Sequence, residues 1–427
     1  MEPRPVPVSF GEAFRFWLKL GFISFGGPTG QIAIMHQELV ERRRWISENR
    51  FLHALNYCMV LPGPEAQQLA TYIGWLMHRT WGGIVAGGLF VLPSVFILIA
   101  LSWIYVSYGN VPLVAGIFYG IKPAVVAIVL AAAWRIAQRA LKHPALWALS
   151  AAAFLAIFAF DAPFPAIVLA AGIIGYLGGR FFPDIFSGGG HGAAKASYGL
   201  ALIDDDTPTP AHALFSWRKF SAYVVAGLAL WVLMMAGLIA MGGRDGTLAQ
   251  MGLFFSQAAL LTFGGAYAVL PYVYQGAVEH YGWLTGPQMI DGLALGETTP
   301  GPLIMVVAFV GYMGAGTAGA LVATFFTFLP SFIFIFAGAP FIETTHGNLK
   351  FSAPLTGITA AVVGVIVNLA LFFAWHVFWP EGWNGRFEWL TALIGAAAFV
   401  ALFRFKAGVM PVIGACALAG LAVTLLR

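Results

Sequence analysis

Two glutamates stand beside identical Pro-Gly-Pro triplets in strongly apolar parts of the sequence. Glu65 directly follows the triplet at residues 62–64, and Glu297 lies three residues before the triplet at residues 300–302. A carboxyl group in apolar surroundings is costly to ionise, which suits a group that binds and releases protons. We therefore regard both glutamates as candidate proton-coupling residues. The alternative for Glu65 is an acid in the first turn of a helix, where it complements the helix dipole.

The two triplets also predict breaks in helices, because proline removes a backbone donor and glycine has no side chain. Phe-Gly-Gly sequences at residues 25–27 and 263–265 predict further breaks. The half-helix that starts after a break presents free N–H groups and about half a positive charge, which favours an anion. We predict that the half-helices after residues 62–64 and 300–302 face one anion together. The alternative is that the breaks serve only helix packing.

Polar side chains close to the breaks could complete such a site. Gln31, Gln67 and Gln68 are uncharged donors, although amides in membranes often hydrogen-bond between helices instead. Lys122 is a cation deep in an apolar stretch, and charges there are functional candidates by default; the alternative is a lysine that snorkels near a kink. The candidate binding residues are Gly26, Gly27, Pro28, Gln31, Pro62, Gly63, Pro64, Gln67, Gln68, Lys122, Gly264, Gly265, Thr298, Thr299, Pro300, Gly301 and Pro302.

The chain that carries these residues has the composition of a membrane protein. Of its 427 residues, 60% are hydrophobic and only 9% are charged, compared with roughly 25% charged residues in soluble domains. A soluble chain could not cover so much apolar surface, so a soluble enzyme, a disordered protein and a nucleic-acid-binding module are excluded. Lipid-facing backbone must satisfy its own hydrogen bonds, and the long charge-free stretches lack the alternation of barrel strands. The predicted fold is an all-α polytopic membrane protein.

An internal repeat divides the chain. The Phe-Gly-Gly sequence and the Pro-Gly-Pro triplet recur in the second half at one common offset, and Leu92-Pro93-Ser94 recurs as residues 329–331. Rare motifs held in nearly one register over so long a stretch indicate a duplication. An extra apolar segment between the copies would invert the second repeat, as in many secondary transporters. The predicted units are residues 1–182 as the first repeat, 183–216 as a flexible cytoplasmic linker, 217–241 as an extra span and 242–427 as the second repeat.

Two topologies fit the apolar segments. If every segment crosses the membrane, the chain has 13 spans; if the two motif segments of each repeat are re-entrant hairpins, it has about nine full spans. The hairpin layout places more of the 22 Lys and Arg residues on one side, so the positive-inside rule favours it. Both layouts predict a cytoplasmic N-terminus and linker, and a C-terminus on the opposite, periplasmic side.

At FGGPTGQ, LPGPEAQQLA, FGGAYAVLPY and ETTPGP, the chain resembles the long-chain chromate transporter family. The resemblance covers nearly the whole chain and includes the two-half layout. It implies an inner-membrane secondary transporter that exports chromate, uses the proton gradient and confers chromate resistance. Many relatives carry a histidine shortly after the first FGGP, whereas this chain has Thr29-Gly30-Gln31 there and His36 as the nearest histidine.

Chromate is a tetrahedral dianion, like sulfate, and an ionised carboxylate beside it would repel it. Protonation of Glu65 or Glu297 would therefore be coupled to anion binding. The expected partners are chromate or a related oxyanion, protons as the coupling ion and the lipid bilayer, with no nucleic acid, cofactor or metal; a homodimer is compatible with the sequence. The alternatives are a sulfate-type or other oxyanion carrier, a gated channel, and a membrane-embedded enzyme, for which no nucleophile with a base is visible.

Overall fold

The computed structural model describes residues 6–25, 27–109, 111–186, 198–263, 265–345 and 352–426. Apart from an isolated β-bridge between Ile46 and Ile203, these described residues form only helices and their connections. Seven of the described helices are long and apolar enough to cross a membrane, and three shorter apolar helices accompany them. The predicted all-α polytopic membrane fold is confirmed.

The first repeat opens with short helices and continues with long ones. Its elements are α1 (Phe10–Ile23), α2 (Gly27–His36) with a π-helical turn (Gln37–Arg42), α3 (Glu48–Val60), α4 (Glu65–Tyr108), α5 (Pro112–Ala140), α6 (Pro144–Phe160) and α7 (Phe164–Phe181). Helices α1, α2 and α3 have 14, 10 and 13 residues, fewer than the roughly 20 that a full span requires. These lengths favour the layout with re-entrant hairpins.

The second repeat has the same order of elements. Between the repeats lie α8 (Pro183–Phe186) and α9 (Trp217–Gly242). The second repeat consists of α10 (Thr247–Leu261), α11 (Ala266–Tyr274) with a π-helical turn (Gln275–His280), α12 (Gly286–Thr298), a 3-10 turn (Leu303–Met305), α13 (Val306–Thr345), α14 (Ser352–Phe378), α15 (Trp389–Phe403) and α16 (Val409–Leu426).

Backbone irregularities recur in the two repeats as well. The π-helical turns, at Gln37–Arg42 and Gln275–His280, are separated by the same offset as the Phe-Gly-Gly sequences. Helix α4 is kinked at Arg79, where φ is 59°, and α13 is kinked at Gly316, where φ is 60°. Because such interruptions are rare within helices, their recurrence supports the duplication that the sequence motifs predict.

Each repeat packs against the other along much of its length. The long helices α4 and α13 lie against each other, α5 packs on α15 and α16, and α14 packs on α6 and α7. The largest cluster of buried apolar side chains draws on both repeats. Helix α9 packs on α10 and α13 and keeps most of its surface exposed. The largest core of the described residues is therefore shared between the repeats.

The described part of the predicted linker is packed rather than freely flexible. Residues 198–216 run beside the start of α3, where Ile203 N–H donates to Trp45 O at 3.1 Å and Ser47 N–H donates to Ile203 O at 2.9 Å. The side chains of Ile203 and Ala213 are buried in an apolar cluster that the first repeat mainly builds. These backbone bonds and buried side chains offset the entropy that the described linker residues lose on ordering.

Candidate functional site

The helix breaks of the two repeats contact each other at what we call the central junction (residues 24–31, 62–68, 262–267 and 297–302, without Gly26 and Gly264). Gly63 N–H donates to Thr262 O at 2.8 Å, and Gly301 N–H donates to Ser24 O at 2.7 Å. Ser24 and Thr262 each directly precede a Phe-Gly-Gly sequence, so the two bonds are equivalent. Each Pro-Gly-Pro break is thus completed by the Phe-Gly-Gly region of the other repeat.

The central glycine of each triplet cannot be replaced without strain. Gly63 has a φ of 123° and Gly301 a φ of 104°, values that residues with a Cβ rarely adopt. A Cβ on Gly63 would lie 2.5 Å from Ser331 Oγ and 2.7 Å from Gln68 Nε2, and one on Gly301 would collide with Ser94 Oγ. Ser94 also donates a hydrogen bond to Pro300 O. The junction is therefore closely packed around both glycines.

The three candidate glutamines are fully buried at the junction. Gln31 Nε2 donates to Gly301 O at 2.5 Å and to Ser24 O at 3.3 Å. Gln68 Nε2 donates to Pro62 O at 2.8 Å, and Gln67 Nε2 donates to Thr71 Oγ1 at 3.0 Å. The amide N–H groups of Gln31 and Gln68 thus brace the broken backbone, which is a different task from the ligand donor that the sequence suggests.

The two candidate proton-coupling glutamates lie at the ends of two helices that border the junction. Glu65 is the first residue of α4 and is half-buried, and no described residue forms a hydrogen bond or ion pair with its carboxyl group. Glu297 is buried in the last turn of α12, where it accepts a hydrogen bond from the hydroxyl of Tyr267. The neighbouring helix α5 carries two cations, Arg135 and Arg139, whose side chains are exposed.

The remaining candidates take structural positions at the breaks. Thr298 and Thr299 both donate their hydroxyls to Leu295 O, at 2.9 and 2.6 Å, as threonines in helices commonly do. Pro64 directly precedes α4, and Pro302 directly precedes the 3-10 turn. Gly27 and Pro28 are the first two residues of α2, and Gly265 directly precedes α11. Gly26 and Gly264 lie outside the described residues.

Lys122 lies in a separate cluster with two residues that the sequence reasoning missed. Its ammonium is 3.3 Å from Asp291 Oδ2, and Tyr105 donates to the same oxygen at 2.8 Å. Asp291 is 3% exposed, whereas the Lys122 side chain is 30% exposed. An aspartate within the apolar sequence of α12, six residues before Glu297, was the signal that could have revealed this pair.

A second buried ion pair joins α3 of the first repeat to α13 of the second. Arg50 Nη1 lies 3.5 Å from Glu343 Oε2, and Tyr72 donates to Glu343 Oε1 at 2.5 Å. Arg50 also donates to Thr207 O in the packed linker at 2.7 Å. Both ion pairs carry a tyrosine hydroxyl, and both connect α3 or its counterpart α12 to helices of the other repeat. No sequence pattern singles out Glu343.

A cleft of about 590 Å³ lies between α2 and α3 and extends to Thr29, two residues from Gln31. His36 stands in this cleft with Nδ1 3.1 Å from Glu41 Oε1 and Nε2 2.5 Å from Glu48 Oε2. The histidine nearest to the first Phe-Gly-Gly sequence is thus held by two carboxylates at the cleft, one helix away from the junction.

Comparison with known proteins places these features in a family. The family model described as chromate transporter matches residues 11–176 and 249–421, which correspond to the two repeats. A chromate transport protein of Pseudomonas aeruginosa is 34% identical over 426 residues, covering 98% of this chain and 94% of the relative. One of Cupriavidus metallidurans is 31% identical, covering 92% and 88%, and a probable chromate transport protein of Synechococcus elongatus is 29% identical, covering 93% and 90%. No solved structure matches the chain.

Proposed function

The chain belongs to the chromate transporter family, and we propose that it exports chromate across the inner membrane in exchange with, or together with, protons. The observation that carries this proposal is the central junction. Two broken helices from opposite repeats meet there through equivalent backbone bonds, Gly63 to Thr262 and Gly301 to Ser24. Broken helices that meet at a repeat interface form the substrate site in other secondary transporters.

The electrostatics of the junction suit an oxyanion. Helix α4 starts at Glu65, so the positive end of its dipole points at the junction. Helix α5 adds two exposed cations, Arg135 and Arg139. Helix N-termini and cations on a neighbouring helix attract an anion without placing a charged lysine or arginine in direct contact with it. An anion at the junction would thus be held by backbone donors.

Glu65 and Glu297 are our candidates for coupling anion movement to protons. Both are within three residues of a Pro-Gly-Pro triplet, so an ionised carboxylate at either position would repel an anion at the junction. Protonation would remove the repulsion and admit the anion. Chromate and a proton would then move either in the same direction or in opposite directions. The side of the membrane that each carboxyl group faces would decide between these two modes of coupling.

Uptake into everted membrane vesicles tests the proposal. Vesicles from cells that make the protein should accumulate radiolabelled chromate against its gradient when a proton gradient is imposed, and a proton ionophore should abolish the accumulation. A gated channel would equilibrate chromate without concentrating it. Accumulation of sulfate but not chromate would replace the proposal with a sulfate carrier, and the absence of both would refute transport of these anions.

A further inference from the structure

The Lys122–Asp291 pair is unusual because its buried carboxylate has an oxygen without a partner. Asp291 is 3% exposed, and its Oδ2 atom lies 3.3 Å from Lys122 Nζ and accepts from Tyr105 at 2.8 Å. Its Oδ1 atom is buried and has no donor among the described residues. A buried acceptor without a donor is costly. Because Oδ2 already accepts from two donors, Oδ1 is the oxygen at which this carboxyl group would take up a proton.

The ammonium group of Lys122 is the more accessible member of the pair. An ammonium carries three N–H donors, and Asp291 is the one acceptor beside it in the part of the chain that the structure describes. The Lys122 side chain is 30% exposed. A charge is far costlier against lipid than against water, which favours an aqueous opening at the exposed part of Lys122. N–H donors of Lys122 are thus free to bind an anion.

The ion pair between Arg50 and Glu343 differs in both respects. Both carboxylate oxygens of Glu343 have a donor, since Tyr72 donates to Oε1 and Arg50 to Oε2. Arg50 also donates to Thr207 O. The side chains of Arg50 and Glu343 are only 11% and 5% exposed. This pair is closed and satisfied, as expected of an ion pair that holds two helices together, whereas the pair between α5 and α12 is open and incomplete.

The open pair lies near the central junction without being part of it. Asp291 precedes Glu297 by six residues on α12, which is about 9 Å along the axis of a helix. In the layout with re-entrant hairpins, α12 begins on the periplasmic side. Asp291 would then lie between the periplasm and the junction, and an anion that leaves the junction outwards would pass close to Lys122.

From this arrangement we infer that Lys122 and Asp291 form a second oxyanion-binding site, at which anion binding depends on a proton. When Asp291 is ionised, it neutralises Lys122 and repels an anion. When Asp291 takes up a proton from water on Oδ1, the pair has a net positive charge, and the N–H groups of Lys122 bind an oxyanion such as chromate. Anion binding at this site therefore takes up a proton. This inference rests on the proposed function, because it adds a site to the same transport path.

The ionisable groups around Asp291 come from several helices. Helix α12 packs against α4, α5, α13, α14, α16 and the 3-10 turn. Tyr105 on α4 and Lys122 on α5 contact Asp291 directly. Within the described residues, no hydrogen bond or ion pair joins Asp291 to the ionisable groups of the other elements, which are Tyr312 and Glu343 on α13, His376 on α14 and Cys416 on α16.

Two further ionisable groups lie at the ends of α12. His376 is next to Gly286, the first residue of α12, and Glu297 is in its last turn. Both groups, and Glu65 on α4, are retained when Asp291 alone is replaced. A difference in proton uptake between wild type and a variant of Asp291 therefore isolates the proton on this carboxyl group.

The test counts the protons that the purified full-length protein in phosphatidylcholine nanodiscs takes up when it binds chromate. The solution is weakly buffered and mildly alkaline, so that chromate has already lost its own proton, and a pH indicator dye reports the uptake. Asp291→Asn mimics a carboxyl group that is permanently protonated and should still bind chromate. We expect wild type to take up more protons per bound anion than Asp291→Asn, by up to about one. Equal uptake by the two proteins would overturn the inference.

Glu343→Gln is the matched control, because it removes a buried carboxylate from the closed ion pair with Arg50. This variant should take up as many protons per bound chromate as wild type. If Glu343→Gln lowers the uptake as much as Asp291→Asn does, the loss of any buried carboxylate has this effect, and the assignment of the proton to Asp291 is wrong.

Tyr105→Phe tests the same site while both charges stay in place, so it also serves if Asp291→Asn does not fold. The variant removes one donor from Oδ2 of the ionised carboxylate, so the pH at which chromate affinity falls by half should move upwards. An unchanged pH dependence in Tyr105→Phe would overturn the inference. Failure of the wild-type protein to bind or carry chromate at any pH would instead refute the proposed function.

Discussion

Gly63 and Gly301 are the residues on which the geometry of the central junction depends most directly. Replacing Gly301 by alanine should reduce chromate export roughly tenfold or more, because the new methyl group meets Ser94 and would displace the backbone donors of the proposed anion site. The positive φ adds a strain of about 1–2 kcal/mol. Export is measured as chromate uptake by everted vesicles, normalised to the amount of protein in the membrane.

Strain and collision can be separated with a control glycine. Gly382 also has a positive φ, 80°, but a Cβ there would meet nothing within 4 Å. Gly382→Ala should therefore show a small loss of stability and full export. Equal losses of export in Gly301→Ala and Gly382→Ala would mean that backbone strain, not the packing of the junction, causes the effect.

Glu65 offers a direct test of coupling. Glu65→Gln mimics a carboxyl group that is permanently protonated, so the anion should still bind while transport no longer responds to the pH gradient. Chromate uptake is compared with and without an imposed gradient, and chromate binding is measured separately. Glu381→Gln, at an exposed position in the connection before α15, serves as the control. If the Glu65→Gln variant shows gradient-driven uptake at the wild-type level, Glu65 does not couple transport to protons and only complements the dipole of α4.

At the scale of helices, the Lys122–Asp291 pair connects α5 of the first repeat to α12 of the second. Lys122→Met leaves Asp291, which is 3% exposed, without its partner and costs about 3–5 kcal/mol. Asp291→Asn leaves Lys122, whose side chain is 30% exposed, and should cost less. Each single variant should therefore unfold at a lower temperature in detergent, and the double variant should recover most of that loss. If the double variant is as unstable as either single one, the two side chains do not compensate each other.

The helix breaks could be predicted from the sequence, whereas the ion pairs could not. Gly63 and Pro64 both disfavour a continuous helix, so the break and its repetition at Gly301 follow from local chemistry. The positive φ of both glycines is a finding of the structure, because glycine permits that conformation without requiring it. Lys122 and Asp291 belong to different repeats, and nothing local to either residue specifies the other. The orientation of the Gln31 amide likewise depends on Gly301 O, a partner from the opposite repeat.

At the scale of the whole molecule, the side on which each loop lies remains a prediction. A cysteine in place of Arg42, whose side chain is 62% exposed, should react with an impermeant maleimide only from the cytoplasmic side if α2 and α3 are re-entrant. The native thiols give little background, because Cys58 is fully buried and Cys416 is 6% exposed. Labelling in intact cells would require these segments to cross the membrane, as in the layout with 13 spans.

The reciprocal backbone bonds of the junction also have a consequence for biosynthesis, because the first repeat cannot complete its hydrogen bonds before the second repeat is made. When the ribosome has made the first repeat, Gly63 N–H still lacks its acceptor, because Thr262 belongs to the second repeat and has not yet been synthesised. The open break must wait in the translocon or beside lipid until the second repeat arrives, and an unpaired N–H in lipid is costly. A chain interrupted between the repeats is consequently a natural substrate for membrane quality control, and any arrangement that encoded the halves separately would have to deliver them to the bilayer together.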